Sequence, residues 1–206
     1  MTIDVLVGGP LTDLDHQVHR FTDREVRGAG KDIADAVRLL GQRWVLLLFI
    51  APLAVVAAVR TRSWRAPLAA AAIVVGLSAL QEVLKSIIPR TYPASDEDLL
   101  FVRGDAYPSG HTLNGFILVW TMLELLVIAL PGVFPPAGWL NARRRLVTAR
   151  ATGFVTAVAL TLADVHWLTD VLASLGLGVI LLDLLARAEP FGAGPTVPAG
   201  PAGRAG

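Results

Sequence analysis

Residues 44–59, WVLLLFIAPLAVVAAV, carry no charge and lie between Arg43 and Arg60. A bilayer span takes about 20 predominantly apolar residues, and flanking arginines extend a slightly short run by snorkelling. Four more apolar runs follow. One starts near Pro67 and ends about Leu84, with Glu82 and Lys85 at its far end; another covers roughly 111–130, interrupted only by Glu124. The last two cover about 149–166 and about 168–186, with Asp183 near the end. The expected fold is therefore all-α, an integral membrane bundle of five spans across residues 44–188. Gly, Ala, Ser and Thr scattered through the first four spans suit close helix packing in lipid. Only 17% of residues are charged, against about a quarter in soluble domains. The net charge of +1, with no basic stripe, argues against a nucleic-acid partner. The absence of cysteine excludes disulfides, thiolate metal sites and a cysteine nucleophile.

Residues 1–43 read differently. Leu11, Leu14, Val18, Phe21 and Val26, then Ile33, Val37 and Leu40, are spaced among charges as in amphipathic helices lying on the membrane surface; a soluble cap fits the same pattern. The start lacks the basic-then-apolar layout of a cleavable signal peptide. Residues 189–206, rich in Gly, Pro and Ala, are expected to be a disordered tail. RTRSWR after the first span, and Arg143, Arg144, Arg145 and Arg150 before the fourth, put arginines without acids on one side. The positive-inside rule makes that side cytoplasmic, in a multi-pass plasma-membrane protein.

Three pieces then converge on the opposite, extracytoplasmic face. Pro108-Ser109-Gly110-His111 precedes the third span. Ser109 is a good N-cap, Gly110 admits close backbone approach, and the unpaired N–H groups of a first helical turn make a phosphate cradle. His111 then stands where it can protonate a leaving oxygen. The second piece, His166-Trp167-Leu168-Thr169-Asp170, has a carboxylate four residues from a histidine, able to hold one ring nitrogen and leave the other as base or nucleophile. An interfacial polar pair with Trp167 as aromatic anchor is the plainer reading. The third piece, KSIIPRTYP, lets Lys85 and Arg90 bring positive charge to the same mouth, although Lys85 also suits a pair with Glu82.

This order, a Lys-and-Arg segment, then P-S-G-H, then H-x3-D, resembles the type-2 phosphatidic acid phosphatase superfamily over roughly residues 66–186. HWLTDVLASLGLG is similar to what bacterial members carry, and LDHQVHRF followed by RLLG resembles their entry helices. The resemblance implies a membrane hydrolase acting on a lipid or polyprenyl phosphate or diphosphate. It implies that His166 attacks phosphorus and forms a phospho-histidine intermediate while Asp170 orients it. His111 would protonate the departing oxygen and later activate water, and Lys85, Ser109 and Gly110 would hold the phosphoryl oxygens. The family works without a metal, so no cofactor is implied; the partners are the lipid substrate and the bilayer. Two positions depart from its pattern. Tyr92 stands where the first motif has Arg, and Ala159-Leu160 stand where the third has Ser-Arg. Each lost donor to transition-state charge is worth about 3–4 kcal/mol. Arg90 or Arg103 swinging in, and one hydrogen bond from Tyr92, are the candidate substitutes, and neither restores the bidentate grip of the motif arginines.

The missing arginines keep two alternatives open: a lipid headgroup phosphotransferase or isoprenoid-diphosphate-processing enzyme, and a catalytically degenerate lipid-binding protein. Oligomeric state is not readable. Glu124, near mid-membrane, is expected to be structural, protonated or hydrogen-bonded. Asp183 is expected to be solvated, and Asp164 to face away from His166.

Overall fold

The computed structural model describes residues 2–95, 97–102, 104–135 and 138–192. Arg103 and the tail from residue 193 lie outside the described residues, and the expectations placed on them with it.

Five helices are long and apolar enough to cross a membrane: α4 (Arg43–Thr61), α5 (Arg65–Ile87), α6 (Gly110–Ala129), α7 (Ala142–Leu162) and α8 (Leu168–Ala188). Three shorter helices precede them, α1 (Thr2–Val7), α2 (Pro10–Glu25) and α3 (Ala29–Val37), with a 3-10 turn over Arg38–Gly41 leading into α4. No strand runs through the described residues; an isolated bridge pairs Arg90 with Leu100 in the α5–α6 connection.

Helix α6 is the axis of the bundle. Leu113, Phe116, Ile117, Leu118 and Leu125 are at most 1% exposed, because α4, α5, α7 and α8 surround it. Glycine sets how closely they approach. The Phe116 ring lies where side chains at Gly153 of α7 and Gly178 of α8 would stand, so any Cβ there strikes the ring. Close backbone contact of this kind replaces the hydrophobic driving force that helices lack in lipid.

Helix α7 starts seven residues earlier than the sequence reading places it, and Arg143, Arg144 and Arg145 lie inside its first turn instead of in a loop. Asn141 caps that turn by accepting from the Arg144 N–H at 3.0 Å. Arg145 donates to Glu124 at 2.7 Å and to the Leu140 carbonyl at 2.6 Å. Glu124 is thus structural, as expected, with an arginine as its partner. Asp183 is 38% exposed, in keeping with a solvated carboxylate, and also pairs with Arg150.

The direction of the five spans puts the start of α4, the end of α5, the start of α6 and the α7–α8 turn at one end of the bundle. Helices α2 and α3 and the 3-10 turn pack on that same end, against α8, α7 and α6.

Candidate active site

Each sequence piece arrives at this end by a local cause. Ser109 is the N-cap of α6: its buried hydroxyl accepts from the Thr112 N–H at 3.5 Å and lies 3.3 Å from the Thr112 hydroxyl. Its own N–H donates to the Asp170 carbonyl at 3.4 Å, which ties the start of α6 to the first turn of α8. The Ser109 side chain is committed to the cap, so what this motif presents outward is backbone. The N–H groups of Gly110 and His111 have no hydrogen-bond partner among the described residues. Such orphan donors at a positive helix end suit an anion.

His166 lies in the short turn between α7 and α8, which Asp164 makes possible by adopting a left-handed conformation at φ 59°. The His166 and His111 rings, 55 residues apart in sequence, have centroids 6.4 Å apart and meet edge to face. Asp170 sits in the first turn of α8. One of its oxygens accepts from the Trp167 N–H at 3.1 Å and stands 3.6 Å from His166 Nδ1. Nδ1 is buried and makes no hydrogen bond among the described residues, so the carboxylate is its nearest counter-charge.

On the other side of His166 is Tyr92, with ring centroids 5.3 Å apart. The Tyr92 hydroxyl donates to the Asp105 carbonyl at 3.3 Å, and Lys85 Nζ reaches the Asp105 carboxylate at 3.2 Å. Burial, reinforced by Asp105, raises the Tyr92 phenol above its ordinary range, so it remains a neutral donor. Burial alone would raise Asp105 too, but Tyr92 and then Lys85 hold it below the usual carboxylate value. Lys85 therefore pairs with Asp105 rather than Glu82.

Arg90 departs from expectation. It does not carry charge to the mouth; its side chain is fully buried and turned inward. Nε and Nη2 grip Asp98 at 2.7 and 2.6 Å, Nη2 also reaches Asp15 at 2.7 Å, and Nη1 reaches Asp170 and the Thr169 hydroxyl, both at 2.7 Å. Three carboxylates and a hydroxyl use the guanidinium up, so none of it is left for a phosphate. Its planar fork suits this shared role, which a lysine could not fill. Arg90 also lies over the Trp167 ring, 5.3 Å from its centroid. Trp167 is itself buried, donating to the Thr91 carbonyl at 2.7 Å, and is not an interfacial anchor.

Asp15 of α2 was not legible as a site-supporting residue. It is 1% exposed, accepts from the Thr169 N–H at 2.8 Å and hydroxyl at 2.5 Å, and meets Arg90. Burial raises its carboxyl above the ordinary value despite those bonds. Asp164 does face away from His166, toward α2, where it meets His19 at 2.9 Å and accepts from Thr22 at 3.0 Å. Leu160 is fully buried and packs with Ala157 and Val171 in a small apolar cluster, so that position brings no charge to the site. Among the described residues no group of three or more His, Asp or Glu side chains is placed to hold a metal ion.

Bundle and site together define a membrane-embedded, all-helical protein with a paired-histidine centre at one mouth of the helices. The PAP2 superfamily model matches residues 66–191, more than half of the chain, and the chain belongs to that superfamily. Its fold is similar to that of the first transmembrane PAP2 type phosphatidylglycerolphosphate phosphatase from Bacillus subtilis, with a TM-score of 0.63 at 17% identity, covering 90% of this chain and 89% of that one. No curated protein matches the chain by sequence.

Proposed function

We propose that this chain hydrolyses the phosphoester or phosphoanhydride of a membrane lipid or polyprenyl phosphate. The observation that carries this reading is the meeting of His111 and His166, 6.4 Å apart, over the open N-terminus of α6. On this reading one phosphoryl group sits between the two rings, with its oxygens toward the orphan N–H groups.

In the first step His166 Nε2 attacks phosphorus, the bond from phosphorus to the lipid-side oxygen breaks, and that oxygen takes a proton from His111. In the second, water attacks the phospho-histidine, His111 takes the water proton, and the phosphorus–nitrogen bond breaks to release phosphate. Asp170 acts through His166: held by Arg90 and the α8 cap, it positions Nδ1 and balances the positive imidazole left once Nε2 is bonded to phosphorus.

Arginines gather at the end of the bundle away from the histidines, with Arg60 closing α4, Arg62 in the turn, Arg65 opening α5, and Arg143 and Arg144 opening α7. The positive-inside rule supports a cytoplasmic placement of that end and an extracytoplasmic site, in a plasma-membrane setting.

Phosphate release by purified protein from phosphatidic acid, phosphatidylglycerolphosphate and a polyprenyl diphosphate tests the reading. Release from at least one, lost in His166→Ala, is expected. Equal release by wild type and His166→Ala would sink it, and a phosphorylated second lipid in the products would replace hydrolysis with transfer.

A further inference from the structure

A cation beside the α6 cradle comes from the first span and not from the segment after α5. Arg43, the first residue of α4, donates to the side-chain carbonyl of Gln81, which stands 3.1 Å from where a Cβ on Gly110 would be. Gln81 is buried; its amide donates to Asn114 at 3.1 Å, and Asn114 donates to the Gly41 carbonyl at 3.1 Å. Gly41 in turn lies directly on the His111 backbone carbonyl, a contact any Cβ would forbid. A chain of neutral amides thus fastens the 3-10 turn and the start of α4 to the first turn of α6. Arg38 opens the 3-10 turn, its Nε on Asp35 at 2.7 Å. Arg38 shares the 3-10 turn with Gly41, and Lys85 lies one helical turn beyond Gln81 on α5, at the same end of the bundle.

Two of these charges have acids: Lys85 has Asp105 and Arg38 has Asp35. Arg43 has none among the described residues; its hydrogen-bond partner is a neutral amide. A half-buried guanidinium without an acid, held by Gln81 against the positive start of α6, gains from an anion in the cradle.

We propose that Arg43, seconded by Arg38, clamps the phosphoryl group of the substrate against the Gly110 and His111 N–H groups, so that the N-terminal segment and first span supply the cationic grip absent at Tyr92 and Leu160. This rests on the phosphatase reading for the identity of the anion. The ligand chemistry is a phosphate monoester or terminal diphosphate, whether free or on a lipid.

Equilibrium binding separates the two ideas, because it needs no turnover. Inorganic phosphate is titrated into full-length protein in detergent, with Arg43→Met, Arg43→Lys, Arg38→Met and, at the opposite end, Arg60→Met. Losing a hydrogen bond to a charged group predicts about tenfold to hundredfold weaker phosphate binding in Arg43→Met, partial recovery in Arg43→Lys, a smaller loss in Arg38→Met and none in Arg60→Met. His166→Ala protein is then mixed with vesicles containing phosphatidic acid or diacylglycerol. Arg43-dependent retention on the first alone assigns the clamp to the lipid headgroup; phosphate binding without retention assigns it to the free ion. Wild-type phosphate affinity in Arg43→Met overturns the proposal, as does wild-type protein that binds no phosphate. If Arg43→Met melts early, unchanged affinity in both Arg43→Lys and Arg38→Met overturns it equally. Phosphate binding through Arg43 without turnover of any lipid leaves the clamp standing and sinks the hydrolase.

Discussion

Two arginines at the same end of this bundle live in opposite electrostatic worlds. Arg90 is fully buried and shared among Asp15, Asp98 and Asp170. Arg43 is half-buried and bonded to the neutral Gln81. A buried charge is tolerated when it is neutralised and its donors are all used, and removing one partner then leaves the others uncompensated. A cation left without an acid is poorly suited to holding a fold together and well suited to receiving an anion. The contrast teaches that proximity of arginine to a catalytic pair does not by itself mark a ligand contact; what the guanidinium already holds decides it.

The largest effect that sharpens this contrast is kinetic. His166→Ala is expected to reduce lipid-phosphate turnover by at least about a thousandfold while the melting temperature stays within a few degrees. Trapping of phosphate on wild-type protein and its loss in the variant is the check. A variant that turns over normally would place the nucleophile elsewhere.

Next is stability. Arg90→Met strands three carboxylates and is expected to cost about 3–5 kcal/mol, with loss of cooperative thermal unfolding in detergent. Arg43→Met should cost under about 1 kcal/mol, since it removes one hydrogen bond to a neutral amide and strands no acid. Equal destabilisation by the two would break the comparison. Asp15→Ala should follow Arg90→Met in direction. Asp15→Asn should do less harm, because an amide oxygen still accepts from Thr169 and burial already disfavours the charged carboxylate. Differential scanning of the four variants ranks them.

At the pair near the bundle end away from the histidines, Glu124→Ala leaves Arg145 without its acid and is expected to lower the melting temperature with no change in KM for the lipid. A changed KM would mean that this distant pair communicates with the mouth.

The smallest effect concerns Asp105, whose carboxylate is 59% exposed on Lys85. Its folded value lies below the ordinary one, so the stability it contributes is present above the unfolded carboxylate range and is lost as pH falls through the lower folded value. Solvent screening keeps that contribution under about 1 kcal/mol. Asp105→Asn frees Lys85 for an anion and is expected to tighten phosphate binding a few-fold, read in the same titration. Weaker binding would show that Asp105 holds Lys85 in its working position.

Much of this protein was legible before any coordinates. Long uncharged runs in lipid have one economical solution, so the five spans and their direction follow from hydropathy, and the ends of the spans bring Lys85, Gly110, His111 and His166 to one mouth. Those are local properties: a period, a cap, a charge at a helix end. Tertiary structure alone decided where the arginines point. Arg90 lies two residues from Tyr92 and seemed interchangeable with a motif arginine, yet Asp15, 75 residues earlier, and Asp170, 80 residues later, draw it inward. Arg43 reads as a snorkelling flank of the first span, and only the packing of Gly41 on the His111 carbonyl brings it to the site. Trp167 was buried, and Asp15 recruited, by the same long-range docking of α2 on α8. Pairings among distant charges depend on which helices meet, and a run of residues carries no record of that until the chain has folded.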